Sequence, residues 1–72
     1  MAKSDNAVYR VTEVIGTSSN SWEDAAKNAV RTASKSLRDL RIAEITKLDV
    51  RIVDGKVTQF RARLALSFKY DA

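Results

Sequence analysis

The sequence predicts an α+β fold in which one helix packs on a three-stranded antiparallel sheet, in the chain order β-α-β-β. Three patterns lead to this prediction. Residues 56–70 alternate apolar and polar side chains, as a strand does. Residues 21–40 repeat apolar side chains at three- and four-residue steps, as an amphipathic helix does. The dipeptide Asp54-Gly55 stands between two apolar runs, which is a strong signal for a hairpin turn.

The first strand is predicted over residues 7–15. Both of its faces mix apolar and polar side chains, so we expect partial burial on both sides. Gly16 is predicted to end this strand, and residues 17–20 to form a polar turn. We expect residues 1–6, which are small and polar, to be disordered.

The predicted helix begins after Ser21 as its N-cap, with Asp24 in the capping-box position. Its apolar stripe continues for about five turns, to Leu40. Alanines on the stripe allow the sheet backbone to approach closely. We interpret Trp22 as a core or interface anchor rather than a ligand-stacking residue, because a lone aromatic residue on an apolar stripe usually packs. The stripe consists of Trp22, Ala25, Ala26, Ala29, Val30, Ala33, Leu37 and Leu40.

The second strand, residues 41–53, has a fault in its apolar period. Apolar residues occupy odd positions before Thr46 and Lys47 and even positions after them. Such a switch predicts a β-bulge or bend that exchanges the two faces of the strand. We place the third strand between the first two, because every neighbouring pair is then antiparallel.

The third strand is too long for a compact chain of 72 residues. At about 3.3 Å per residue it spans roughly 50 Å, whereas a compact chain of this size is roughly 30 Å across. We therefore expect the strand either to break or to extend onto a neighbouring subunit, and we predict a homo-oligomer. Its apolar face comprises Phe60, Ala62, Leu64, Leu66, Phe68 and Tyr70.

Composition argues for one small binding domain, residues 1–72, rather than an enzyme. The chain contains no histidine and no cysteine, which argues against hydrolytic or zinc chemistry and disulfides. Two glycines do not make a phosphate-binding loop. No apolar run approaches the roughly 20 residues that span a bilayer, and no signal-peptide pattern opens the chain. We therefore expect a cytoplasmic protein without a membrane partner.

One face of the third strand is basic, with Arg61, Arg63 and Lys69. These residues could bind a phosphate-bearing ligand or nucleic acid. We favour the other interpretation, in which the arginines pair with Glu44 and Asp49 across strands or subunits. Nucleic acid is further disfavoured because the aromatic residues of this strand lie on its opposite face.

The ordered set of short segments resembles the dodecin family over about residues 8–70. The segments are Val14-Ile15-Gly16-Thr17-Ser18, Leu37-Arg38-Asp39-Leu40, Ala43-Glu44, Val53-Asp54-Gly55, Phe60 and Leu66-Ser67-Phe68-Lys69-Tyr70. The resemblance implies a βαββ subunit of a hollow homo-dodecamer. It also implies a non-enzymatic storage protein that binds flavins in pairs at the interfaces between trimers.

The resemblance also assigns three flavin-binding positions, and all three are substituted in this chain. Ile42 stands where most members have a tryptophan that stacks on the isoalloxazine ring. Arg61 replaces a glutamine that hydrogen-bonds the ring, and Lys47 replaces a polar, often acidic, contact to the ribityl chain. Each lost aromatic stack is worth about 0.5–1.5 kcal/mol beyond its buried area. We therefore expect FMN or riboflavin to bind weakly.

A second possibility follows from Ser21-Trp22-Glu23, which is similar to the helix start of a branch described as calcium-binding dodecins. The alternative function is then a shell that binds Ca²⁺ or serves as an oligomeric scaffold without flavin. The acidic residues do not have calcium-loop spacing, so the sequence assigns no metal ligands within one subunit. A basic nucleic-acid-binding module is the third and least favoured alternative.

Overall fold

The computed structural model describes residues 8–69 and confirms the predicted fold class. The elements are β1 (Tyr9–Ser18), α1 (Trp22–Ala33), β2 (Leu40–Val53) and β3 (Lys56–Lys69). Strand β3 lies between β1 and β2 and is antiparallel to both, as predicted. The predictions made for residues 1–6, for Ala7 in β1 and for Tyr70 in β3 lie outside the described residues.

A small core joins the helix to the middle of the sheet. Ala25 and Ala29 of α1 pack on Ala62, Leu64 and Leu66 of β3, and these are the five buried apolar residues of the described chain. The apolar face predicted for β3 is therefore the face that contacts the helix. The helix lies over β1 and β3 and scarcely touches β2. As a result, Ile45 and Leu48 of β2 remain half exposed on the helix side.

Strand β1 is longer than predicted, because it continues through Gly16 to Ser18. Gly16 was expected to end the strand, but it pairs with Ala62 inside the sheet. Glycine is needed here because the helix backbone crosses at this point. A Cβ atom at Gly16 would lie 2.1 Å from the carbonyl oxygen of Ala25. The expected partial burial on both sides of β1 is also wrong, since Val11 and Ile15 are exposed on the side away from the helix.

The helix ends at Ala33, about two turns before the predicted end at Leu40. Serine is unfavourable inside a helix, because its hydroxyl forms hydrogen bonds with nearby backbone groups that compete with those of the helix. Here the hydroxyl of Ser34 donates to the carbonyl oxygen of Arg31, and tight turns follow. Leu37 and Leu40 still pack against the core from outside the helix, which explains why they continued its apolar pattern.

The predicted β-bulge and hairpin are both confirmed. The register with β3 shifts between Ile45 and Lys47, so that Thr46 is the extra residue. At the turn, Asp54 and Gly55 have φ angles of 53° and 75°, as expected for this dipeptide.

Strand β3 runs unbroken, so the expectation of a break is wrong. The molecule is 53 Å long and only 21 and 17 Å wide. Its radius of gyration is 14.9 Å, compared with about 11 Å for a compact chain of this length. Because β3 is unbroken and the molecule is elongated, the other expectation, that this strand extends onto a neighbouring subunit, stays a prediction.

Candidate functional site

The three predicted site residues all lie on the sheet face opposite α1, which we call the open face. Residues paired across neighbouring strands point to the same side of a sheet. The core residues of β3 alternate with the open-face residues of that strand. By this register the described open face contains Tyr9, Val11, Glu13, Ile15 and Thr17 of β1, Ile42, Glu44, Lys47, Asp49 and Arg51 of β2, and Gln59, Arg61, Arg63, Ala65 and Ser67 of β3.

Arg61 is already engaged by a carboxylate of its own chain. It lies opposite Asp49, and its Nε and Nη2 atoms donate to the two carboxylate oxygens at 2.7 and 2.9 Å. The hydrogen bonds and charge of Arg61, with a further contribution from the charge of Arg63, hold the pKa of Asp49 below its usual value. This contact confirms the predicted pairing of an arginine with Asp49. Both side chains are about half exposed, so water weakens the pair.

The backbone beneath this ion pair is fixed by Trp22. Its indole N–H donates to the carbonyl oxygen of Asp49 at 2.9 Å. The ring also meets Phe60 edge to face, with centroids 5.2 Å apart. Trp22 therefore makes the kind of packing contact that was predicted, but it is 39% exposed, so its role as a core or interface anchor stays a prediction. The hydrogen bond was not predicted from the sequence. The helix start is thus tied to the same stretch of β2 that holds Arg61.

Lys47 reaches the open face through the bulge. Thr46, the extra residue, donates from its hydroxyl to the carbonyl oxygen of Arg63 at 3.1 Å. This places Lys47 directly opposite Arg63, and both side chains are exposed. Without the bulge Lys47 would point toward the helix side. The sequence located the bulge but could not give the partner of Lys47, because the pairing register depends on its exact position.

Ile42 lies at the other end of the open face. It is opposite Ser67, and 64% of it is exposed. Ser67 and Arg61 are six positions apart on β3, which corresponds to about 20 Å. One subunit therefore places Ile42, Lys47 and Arg61 on one face but does not bring Ile42 and Arg61 together. The assignment of these residues to a ligand site stays a prediction.

Carboxylates are spread over the described chain rather than gathered. Among residues 8–69, no three of the side chains that commonly bind metals come together. Asp24 accepts a hydrogen bond from the hydroxyl of Ser18 at 2.7 Å, and Asp49 is paired with Arg61. The predicted capping interaction of Ser21 with the backbone of Asp24 is present at 3.0 Å.

Within the described residues, no helix is long and apolar enough to cross a membrane.

A groove on the helix side has a mostly apolar lining and a volume of about 400 Å³. It forms because α1 leaves β2 uncovered, and Lys27 and Arg31 stand among its lining residues. No sequence pattern predicted this groove, because the sideways position of the helix over β1 and β3 is a property of the packed structure. The apolar lining residues are Ala26, Val30, Ala43, Ile45 and Leu64.

Known proteins are similar to this chain in sequence and fold. The dodecin family profile matches residues 8–71. Calcium dodecin of Mycobacterium tuberculosis is 44% identical over 64 residues, which cover 88% of this chain and 89% of that protein. The structure of dodecin from Streptomyces coelicolor matches with a TM-score of 0.87 at 42% identity, covering 93% of this chain and 96% of the other.

A second solved structure is that of a calcium-binding relative. It is the calcium chelating immunodominant antigen, calcium dodecin, from Mycobacterium tuberculosis, with a novel calcium-binding site. It matches with a TM-score of 0.79 at 41% identity, covering 90% of this chain and 93% of the other.

Proposed function

The chain belongs to the dodecin family, and on that premise we propose that it is a non-enzymatic subunit of a homo-dodecamer that binds a small ligand. Dodecins are small oligomeric binding proteins rather than enzymes. The observation that carries the proposal is the apolar surface left uncovered by one subunit. Eleven large apolar side chains are exposed among the described residues, while only five apolar residues are buried. Removing apolar surface from water is favourable by about 25 cal/mol per Å², and this favours association even though part of the gain is offset by the motion that the subunits lose.

Ca²⁺ is the ligand that we propose for this shell. A relative with 44% identity is a calcium dodecin, and its solved structure has a calcium-binding site. Ca²⁺ takes six to eight oxygen ligands, preferably including carboxylates. Since no suitable cluster forms within residues 8–69 of one chain, we expect ligands from more than one subunit.

Flavin is the second candidate, with weak affinity. It is the ligand implied by the resemblance to the family, but the contacts at its assigned positions argue for weakened binding. Ile42 offers an aliphatic surface instead of an aromatic ring. Arg61 is held by Asp49, so a flavin would have to compete with two charge-assisted hydrogen bonds. An arginine also lacks the acceptor that a glutamine amide provides.

Thermal unfolding and flavin fluorescence separate these two ligands. We expect millimolar Ca²⁺ to raise the melting temperature of the chelator-treated protein, because a ligand of the folded assembly stabilises it by mass action. Mg²⁺ at the same concentration is the control, since it demands a tighter octahedral site. FMN should show little quenching on addition of protein. Strong quenching of FMN with no effect of Ca²⁺ would contradict the choice of Ca²⁺ over flavin.

A further inference from the structure

The helix-side groove between α1 and β2 has an apolar floor and two apolar walls. Leu64 of β3 forms the floor and is only 1% exposed. Ala26 and Val30 line the wall on α1, and Ala43 and Ile45 line the wall on β2. The volume of about 400 Å³ falls within the range of about 300–1,000 Å³ that is typical of small-molecule sites.

Small side chains keep this groove open. Ala26 and Ala43 line it from opposite sides, and neither side chain extends beyond its Cβ atom. Ile45 is half exposed, so the groove presents apolar surface to the solvent. Covering such surface with an alkyl chain is favourable, because it removes apolar area of both partners from water.

Two cations, Lys27 and Arg31, stand at the rim of the groove. They are four residues apart on α1, so they lie on the same side of the helix, about 6 Å apart along its axis. Both side chains are exposed, and neither forms an ion pair within 4 Å in the part of the chain that the structure describes. Arg31 donates from Nη1 to Oδ1 of Asn28 at 3.0 Å, which holds the guanidinium close to the helix. Its remaining N–H groups can still donate to a ligand.

The lining does not compensate the positive charge at the rim. None of the described lining residues is acidic, and those other than the two cations are apolar. A carboxylate between Lys27 and Arg31 would accept charge-assisted hydrogen bonds, and a guanidinium can donate two of them at once. The groove therefore fits a molecule with one anionic end and one apolar end.

We propose that this groove binds a free straight-chain fatty carboxylate, with its alkyl chain over Leu64 and its carboxylate between Lys27 and Arg31. The groove lies on the helix side of the sheet, whereas Ile42 and Arg61 lie on the open face. The site is therefore separate from the positions assigned to flavin, and it goes beyond the proposed function.

A second copy of the chain and an inorganic anion both fit the groove less well. A two-fold contact buries the same patch on both copies, so a contact centred on the groove would bring Lys27 and Arg31 toward their own equivalents. Like charges brought together at an interface are unfavourable. Inorganic phosphate would match the two cations but leave the apolar lining exposed to water. A fatty carboxylate satisfies both parts of the site.

Calorimetric titration of the wild-type protein with decanoate, kept below its micelle concentration, tests the site. We expect one decanoate per subunit. The dissociation constant should be about threefold to tenfold lower for decanoate than for octanoate, because the groove buries part of the two added methylenes. The neutral 1-decanol should bind about fivefold more weakly than decanoate, which is the loss expected when an exposed ion pair is removed. The cation decyltrimethylammonium should not bind.

Neutralising the rim tests the carboxylate end. Lys27→Gln with Arg31→Gln should raise the dissociation constant of decanoate about fivefold and leave that of 1-decanol unchanged. The control is Arg51→Gln with Lys56→Gln, which removes the same net charge at exposed residues beside the hairpin turn. This control should bind decanoate as the wild type does.

Filling the groove tests the alkyl end. Ala43→Phe should abolish the binding of both decanoate and 1-decanol, because the ring would occupy the space of the chain. Thr12→Phe is the matched control. Thr12 and Ala43 lie opposite Leu66 from either side of β3, and both are exposed, but only Ala43 lines the groove. Circular dichroism shows whether each variant is folded, and the rim variant tests the site even if Ala43→Phe is not.

Equal affinity of the wild type and the rim variant for decanoate would overturn the proposal. So would an assembled wild-type protein that binds no decanoate, since a neighbouring copy would then cover the groove. Co-sedimentation with phosphatidylglycerol vesicles without binding of decanoate would overturn it in favour of a membrane surface. Native mass spectrometry of the same samples separates this site from the proposed function. A monomer that binds decanoate would contradict the proposed homo-dodecamer and leave the groove site standing.

Discussion

At the scale of single residues, Gly16 sets how closely the helix approaches the sheet. A Cβ atom there would lie 2.1 Å from the carbonyl oxygen of Ala25 and 2.8 Å from the Cβ of Ala29. The obstacle is largely helix backbone, which cannot move aside like a flexible side chain. The two alanines are buried at this crossing, so small residues on both elements define it.

We therefore expect Gly16→Ala to lower the free energy of unfolding by about 3 kcal/mol or more, which is the upper end of the range typical of overpacking. The free energy of unfolding from urea denaturation is the measurement. Thr17→Ala is a suitable control, because Thr17 follows Gly16 in the strand and its side chain is exposed on the open face. Equal stabilities of the two variants would mean that the helix does not cross the sheet at Gly16.

At the scale of elements, the start of α1 is better determined by sequence than its end. Ser21 accepts a hydrogen bond from the backbone N–H of Asp24 at 3.0 Å, as the capping pattern predicted. Ser18, not predicted for this role, accepts from the backbone of Asn20 and donates to the Asp24 carboxylate. A cap is local and can be seen in a few letters. The helix end was missed because Leu37 keeps its core contact after the helix has stopped.

Ser21→Ala should lower the free energy of unfolding by about 1 kcal/mol, because it removes the acceptor for a helix N-terminal N–H. Chemical denaturation followed by circular dichroism measures the effect. Ser19→Ala is the matched control, since Ser19 is an exposed serine of the same turn, and its hydroxyl makes no hydrogen bond in the described part of the chain. A loss of the same size for Ser19 would contradict the assigned cap.

The strands show the same division between local and long-range information. The change of apolar period around Thr46 predicted the bulge, and the alternation in β3 predicted its buried face. Neither pattern specifies the register, which depends on the length of the hairpin and on every bulge in β2. The opposition of Lys47 to Arg63 therefore required the structure.

At the scale of the whole molecule, a single chain leaves much of its sheet uncovered. Its 53 Å length follows from β3, and the helix covers only part of one sheet face. The sequence predicted this excess of strand length and an oligomer to accommodate it. The candidate site was predicted as three substituted positions. Their separation along β3 could not be predicted without the register, and it makes a second subunit necessary for any site that uses Ile42 with Arg61.

Restoring the family residues should restore flavin binding if the positions are mapped correctly. We expect Ile42→Trp with Arg61→Gln to quench FMN fluorescence more strongly than the parent, because it adds a stacking ring and an amide acceptor. Ile52→Trp with Arg61→Gln is the control, since Ile52 is equally exposed on β2 but distant from Ile42 along the strand. If the two double variants bind FMN equally, the positions are assigned wrongly.

Native mass spectrometry of the purified wild-type protein tests the central claim most directly, because it reports subunit number and bound mass together. We expect a complex of twelve subunits that gains mass corresponding to Ca²⁺ when calcium is present and little or no mass from FMN. A monomer, with or without ligand, would contradict the assembly on which the candidate site depends.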